Sequence, residues 1–241
     1  MIVLVGVGHV FDISGQVHDV IVRHMPRAVC VELDVGRYSA LTHKGTKRPA
    51  PVTYRLLGEF QKRMAKEFGG EVGDEMLSAT RTAREIGADI LLIDADASVL
   101  FSKLWRETPA REKISLMFSA LTGFFISKAR VERELEEFEK DEEAYLRVIE
   151  EHYPTLKRII IDDRNKMMAE RIGEAAKKYE DVLAVVGDGH VEGISRLLGG
   201  ENVKVYRLRD LRARPPSDEE ARKGGNVDAG LSFSYTYEEV P

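Results

Sequence analysis

Five short stretches of the chain are apolar without interruption: Ile2–Val5, Ala28–Leu33, Ile90–Ile93, Val182–Val186 and Val203–Tyr206. Each is rich in branched side chains, and glycines or acidic residues follow most of them. Such runs predict buried strands. Continuous rather than alternating apolarity means that both faces of the sheet are covered, the habit of a parallel sheet between helices. Helical periodicity fills the spaces between. Ser14–Met25 places Val17, Val20, Ile21 and Met25 on one face, with Ser14 as the expected N-cap. Asp74–Ile86 places Met76, Leu77, Thr80 and Ala83 in helical register before Gly87, and Asp163–Tyr179 turns Met167, Met168 and Ile172 inward. Asp162 and Asp163 are the expected caps of that third helix. The alternation predicts an α/β fold with a mainly parallel central sheet flanked by helices.

Residues 97–161 break the alternation and read as a long helical insertion. Ile114–Ile126 carries no charge yet is too short to span a bilayer, and Lys128–Glu151 is a Glu- and Lys-rich helix with a narrow apolar stripe. The insertion is expected to pack as a helical hairpin, or to serve as a homodimer arm or a peripheral membrane contact. Trp105 within it is expected to be a packing residue. A single domain over residues 1–211 is predicted, followed by a polar tail over residues 212–241 in which Leu231–Tyr237 could add an edge strand.

Composition narrows the classes. The 241 residues are 43% apolar and 32% charged, enough for a full core and incompatible with disorder. With 36 basic and 41 acidic residues the net charge is -5, which argues against nucleic acid as a partner. The single cysteine, Cys30, excludes an internal disulfide and suits a reducing compartment. The opening MIVLVGVGHVF has neither the basic flank nor the cleavage site of a secretory signal. The expectation is a cytoplasmic protein.

In an open parallel sheet, ligands bind beyond the carboxyl ends of the strands. There the chain places Gly6, Gly8 and His9 after the first strand, and Glu32 and Asp34 after the second, with Arg37 close behind. Asp94 and Asp96 follow the third, and Gly187, Asp188, Gly189 and His190 the fourth. Two Gly-x-x-His segments and a buried glutamate suit a divalent metal with an open water position, and so hydrolysis near neutral pH. The glycines allow the tight turns that aim each histidine over the sheet. Asp94 and Asp96 are also plausible helix caps. Gly6-x-Gly8 followed by Glu32 and Asp34 imitates a dinucleotide fingerprint, but the closing glycine is missing and histidines stand where a pyrophosphate would pass.

These segments resemble the TraB/PrgY family, related to the TIKI metalloproteases and more loosely to the erythromycin esterase and ChaN-like proteins. The resemblance runs through Gly6-Val7-Gly8-His9, Glu32-Leu33-Asp34 with Arg37-Tyr38, Gly73-Asp74-Glu75-Met76, Asp94 with Asp96, Asp162-Asp163-Arg164-Asn165, and Gly187-Asp188-Gly189-His190-Val191-Glu192-Gly193. It implies a metal-dependent hydrolytic centre in which His9, Glu32 and His190 hold manganese, cobalt, zinc or iron. Glu75 or Asp94 would be the general base, and Arg37 or Arg164 the clamp for an oxyanion or carboxylate. The implied substrate is a peptide or small amide, since relatives are linked to peptide processing and pheromone shutdown. Sequestration of a peptide or haem-like ligand without catalysis is the alternative. Ala95 stands where the family usually has arginine, Asp163 where glutamate is common, and the membrane helices of many members are not seen.

Overall fold

The structure is a computed structural model and describes residues 1–8, 12–42, 73–123, 142–199 and 202–213. Its strands are β1 (Ile2–Val7), β2 (Ala28–Val31), β3 (Asp89–Leu92), β4 (Val182–Gly187) and β5 (Val203–Tyr206). All are parallel, in the order β3-β2-β4-β1-β5. Register puts the site-bearing ends level, since Val185 pairs with both Val5 and Val31, and Val31 with Leu92.

Period-2 geometry sends successive residues to opposite faces of the sheet. Val3, Val5, Val29, Val31, Leu183 and Val185 join one core cluster with α1 (Ser14–His24), α3 (Asp74–Glu85) and α10 (Leu208–Arg212). Leu4, Cys30, Ala184 and Val186 join the other with α8 (Asp163–Tyr179) and α9 (Asp188–Leu197). Burial inside this second layer pushes the Cys30 thiol up to about 12, so it behaves as a small apolar side chain. The helices after β1 and β2 therefore lie on one face and the helix after β4 on the other. That divergence makes the β4 carboxyl end a topological switch point, the place where open α/β sheets bind ligands.

The remaining helices are α2 (Val35–Thr42), α4 (Ala97–Glu107), α5 (Ala110–Gly123), α6 (Glu142–His152) and α7 (Pro154–Lys157), the last running through a π-helical turn at Arg158–Asp162 into α8. The described parts of the insertion are helical, as expected. Three local expectations change. Ile13, not Ser14, occupies the N-cap of α1, and the Ser14 carbonyl instead accepts from Ser78 Oγ at 2.8 Å. Asp162 takes the N-cap position of α8 but makes no side-chain cap bond, and Asp163 already lies inside the helix, because the π turn feeds α8 directly. They pair with Lys157 at 3.0 Å and Lys103 at 2.8 Å. Trp105 is half-exposed, with the Lys113 ammonium 4.8 Å from its ring centre, rather than packed in a core. The edge strand expected at Leu231–Tyr237 lies outside the described residues. No helix among the described residues is long and apolar enough to cross a membrane.

Candidate functional site

The carboxyl ends of β2, β3 and β4 converge on one buried cluster. Glu32 follows β2 directly and is 4% exposed, and its backbone amide still bonds to Val185 O at 3.1 Å. One carboxylate oxygen, Oε2, accepts the Gly187 amide at 2.6 Å; the other accepts from Arg164 Nη2. An added Cβ at Gly187 would lie 3.4 Å from Glu32 Oε2, in ordinary van der Waals contact with the carboxylate.

His190 sits in the first turn of α9, 5% exposed. Its Nδ1 faces Asn165 Oδ1 at 2.7 Å and its Nε2 faces Arg164 Nη1 at 3.0 Å. Asn165 Oδ1 only accepts and Arg164 only donates, which defines the neutral imidazole as protonated on Nδ1 with its lone pair on Nε2. That lone pair lies 3.7 Å from Glu32 Oε1.

Arg164 organises the cluster from the first turn of α8. Nε donates to Asp94 Oδ1 at 2.9 Å and Nη2 to Asp94 Oδ2 at 2.7 Å, the bidentate geometry that guanidinium and carboxylate share. Nη1 also reaches Ile160 O at 3.2 Å. Burial opposes its charge most strongly, yet the bonds to Asp94 and the charges of Glu32 and Asp94 outweigh this and raise its pKa. Asp94 answers the same balance. Burial pushes it up, while the bonds and charge of Arg164 and the charge of Arg37 push it further down, below the usual carboxylate range. Its Oδ1 also accepts the Ala95 amide at 2.8 Å. A carboxylate so saturated is an ionised anchor, a poor proton acceptor. Asp96, by contrast, is the N-cap of α4, accepting from Ser98 N at 2.8 Å.

Arg37 lines the outer side of the cluster. Its Nε donates to Asp34 Oδ2 at 2.7 Å and its Nη2 donates to Asp94, while the side chain stays 38% exposed. Glu75 is buried in the first turn of α3, which packs along β2 and β3. Gly73 enters that turn at φ 92°, a conformation glycine adopts without strain. Because α3 runs back along the sheet, its N-terminal turn, and Glu75 with it, lies at the same carboxyl edge. Gly6 closes β1 against α9, where an added Cβ would come within 2.1 Å of Asp188 Oδ1. Asp188 is itself held by Arg207 Nε at 3.0 Å and Leu208 N at 2.8 Å. Gly8 and Gly189 flank the two strand ends. His9 lies outside the described residues.

Asn165 and Gly193 were not among the expected site residues. A Cβ at Gly193 would lie 2.2 Å from Asn165 Nδ2, so the bare glycine lets the amide stand beside His190. The signal available in the sequence was a polar pair, Arg164 and Asn165, on the helix face that Met168, Ala169, Ile172 and Ala175 bury.

The expected metal set can be tested on the two ligands that are described. Glu32 and His190 are adjacent, but the Nε2 lone pair and both Glu32 oxygens already accept hydrogen bonds. As arranged, the pair does not fit a divalent ion. Among the described residues no group of three His, Cys, Asp or Glu side chains could hold one.

The sequence compares in the same sense as the fold. It is 29% identical over 233 residues to an uncharacterized protein of Methanocaldococcus jannaschii, a match that covers 90% of this chain and 59% of the relative. The chain thus spans less than two thirds of that protein's length. The sequence profile of the TraB/PrgY/gumN family matches residues 1–205, a span that begins before β1, ends within β5 and takes in Glu32, Asp94, Arg164 and His190. The chain belongs to the TraB/PrgY/gumN family.

Proposed function

We propose that the chain is a hydrolase of peptide or amide bonds, acting at the carboxyl edge of β1, β2 and β4. The observation that carries this reading is the buried Glu32–His190 pair, 3.7 Å apart, with the imidazole tautomer set by Asn165. A pair held this way can take up a proton. A proton arriving at Nε2 from an attacking water displaces Arg164 Nη1, which keeps its bond to Ile160 O. The imidazolium so formed faces the Glu32 carboxylate and hands the same proton to the leaving amine nitrogen as the C–N bond of the tetrahedral intermediate breaks. His9, which follows β1 in the sequence and lies outside the described residues, belongs to the same reading.

The two arginines divide the remaining work. Arg164 is buried and saturated, so it frames the site. Arg37 is the half-exposed cation, anchored by Asp34 and Asp94, and is the group that meets a substrate carboxylate or a developing oxyanion. Glu75 is the second proton acceptor within reach of the same edge. The exposed Val99, Trp105, Ile114 and Val148 of the insertion are where a second copy or a membrane surface would meet the chain.

The test is cleavage of a mixed peptide library by the intact chain, read by mass spectrometry beside His190→Gln and Arg37→Met. Products that fall sharply in both folded variants support the reading. Cleavage unchanged in both sinks it. Stoichiometric peptide retention without any product replaces it with a sequestering protein on the same scaffold.

A further inference from the structure

Glu32 Oε1, both Asp94 carboxylate oxygens and His190 Nε2 all point at one buried locus. Buried carboxylates that converge demand a positive charge among them. The chain supplies it. Guanidinium has five N–H donors in a rigid fork, and every one has an acceptor: Nε–H on Asp94, the two of Nη2 on Asp94 and Glu32, the two of Nη1 on Ile160 O and His190 Nε2.

We infer that Arg164 is the resident cation of this site, taking at Glu32 and His190 the place that a divalent metal would occupy. The surroundings are built for the guanidinium in three respects. Asp94 matches its fork, as no metal requires. Asn165 keeps the proton of the neutral His190 on Nδ1, so that in the resting site Nε2 offers Arg164 a lone pair. Gly193 leaves room for Asn165 to do so. A metal at Nε2 would have to expel Nη1 while the rest of the guanidinium, still clamped by Asp94, stood beside it as a like charge.

This inference concerns the cation and is independent of the bond cleaved. It is tested by nuclear magnetic resonance on the intact chain labelled with ¹⁵N-histidine, the His190 signals being those lost in His190→Gln. In the wild-type protein His190 should be protonated on Nδ1 and bare on Nε2, and excess Zn²⁺ or Mn²⁺ should leave both nitrogen signals unmoved. In Arg164→Met the lone pair is released, and Zn²⁺ should shift Nε2 with about one ion bound per chain. Metal-induced shift or broadening of Nε2 in the wild-type protein overturns the inference. So does a proton found on Nε2, or a folded Arg164→Met whose Nε2 ignores Zn²⁺. Where that variant does not fold, the wild-type titration decides alone. Peptide cleavage is read separately: metal at Nε2 with cleavage intact overturns only this inference, and a bare Nε2 with no cleavage overturns only the hydrolase reading.

Discussion

Arg164 and Asp94 meet fork to fork, with Nε to Oδ1 at 2.9 Å and Nη2 to Oδ2 at 2.7 Å. The pair ties the first turn of α8 to the loop after β3, and the same carboxylate takes a second arginine, Arg37, from α2. One buried anion thus fixes two cations, one buried and one half-exposed.

Removing the organiser should be costly. Arg164→Met leaves Glu32 buried beside no guanidinium and Asp94 with Arg37 alone, and breaking a buried pair this way costs about 3–5 kcal/mol. Arg164→Lys should recover little of it, since an ammonium lacks the fork. Urea denaturation measures both. A loss in Arg164→Met below about 1 kcal/mol, the range of exposed pairs, would show that the cluster is not desolvated.

Acid should act through Asp94. Its folded pKa lies below the unfolded value of about 3.9, so the stability it contributes is fully present above that value. It is lost as pH falls from about 4 through the lower folded pKa. Urea midpoints between pH 7 and pH 2 should therefore drop on the acid limb in the wild-type protein, with a shallower drop in Asp94→Asn. Parallel acid limbs in the two proteins would assign the loss to other carboxylates.

Two glycines are expected to resist alanine. Gly6→Ala drives a Cβ into Asp188, a short side chain already pinned by Arg207 and Leu208, and Gly193→Ala drives one into Asn165. Overpacking of this kind costs about 1–3 kcal/mol. Thermal unfolding of each, beside Gly87→Ala as a site where a Cβ meets no neighbour, separates crowding from the left-handed backbone cost that Gly87 carries at φ 73°. Equal stability of Gly6→Ala and wild type would contradict the close approach of β1 and α9.

Arg37→Met should separate binding from folding. Its guanidinium is partly in water, so the protein loses less stability than in Arg164→Met. A substrate carboxylate loses a charge-assisted hydrogen bond worth about 1.5–3 kcal/mol, which lowers kcat/KM about 10- to 160-fold. Steady-state kinetics on the best library peptide is the check. An unchanged kcat/KM would remove Arg37 from the substrate's path.

The strands were legible because both sheet faces are covered, so their apolar runs are unbroken. Their ends were less so. Gly6 and Val7 extend β1 because β4 pairs with it as far as Gly187, while Leu33 and Ile93 leave their ladders and turn inward. Glu32, Asp94, Arg164 and His190 could be found as polar residues at strand ends or in family segments, and they do meet. Their division of labour could not. Whether an arginine clamps a substrate or saturates itself on its neighbours depends on distances between α8, α9 and three strand ends. The part of Asn165 depends on a gap at Gly193 that exists only once two helices pack.

The sheet order has a consequence for how the chain is made. β1, the first of the described strands in chain order, lies between β4 and β5, the last two of them. Until Val182–Tyr206 has been synthesised, β1 has no neighbour to pair with and Glu32 has no Gly187 amide to hold. Contacts of such sequence separation form slowly and late. Ribosome-stalled chains ending before Val182 should therefore leave the segment around Val5 open to protease, and chains extended past Arg212 should protect it. Assembly of the cluster is then tied to synthesis of β4 and α9, so a chain released before them holds Glu32 without the Gly187 amide or His190.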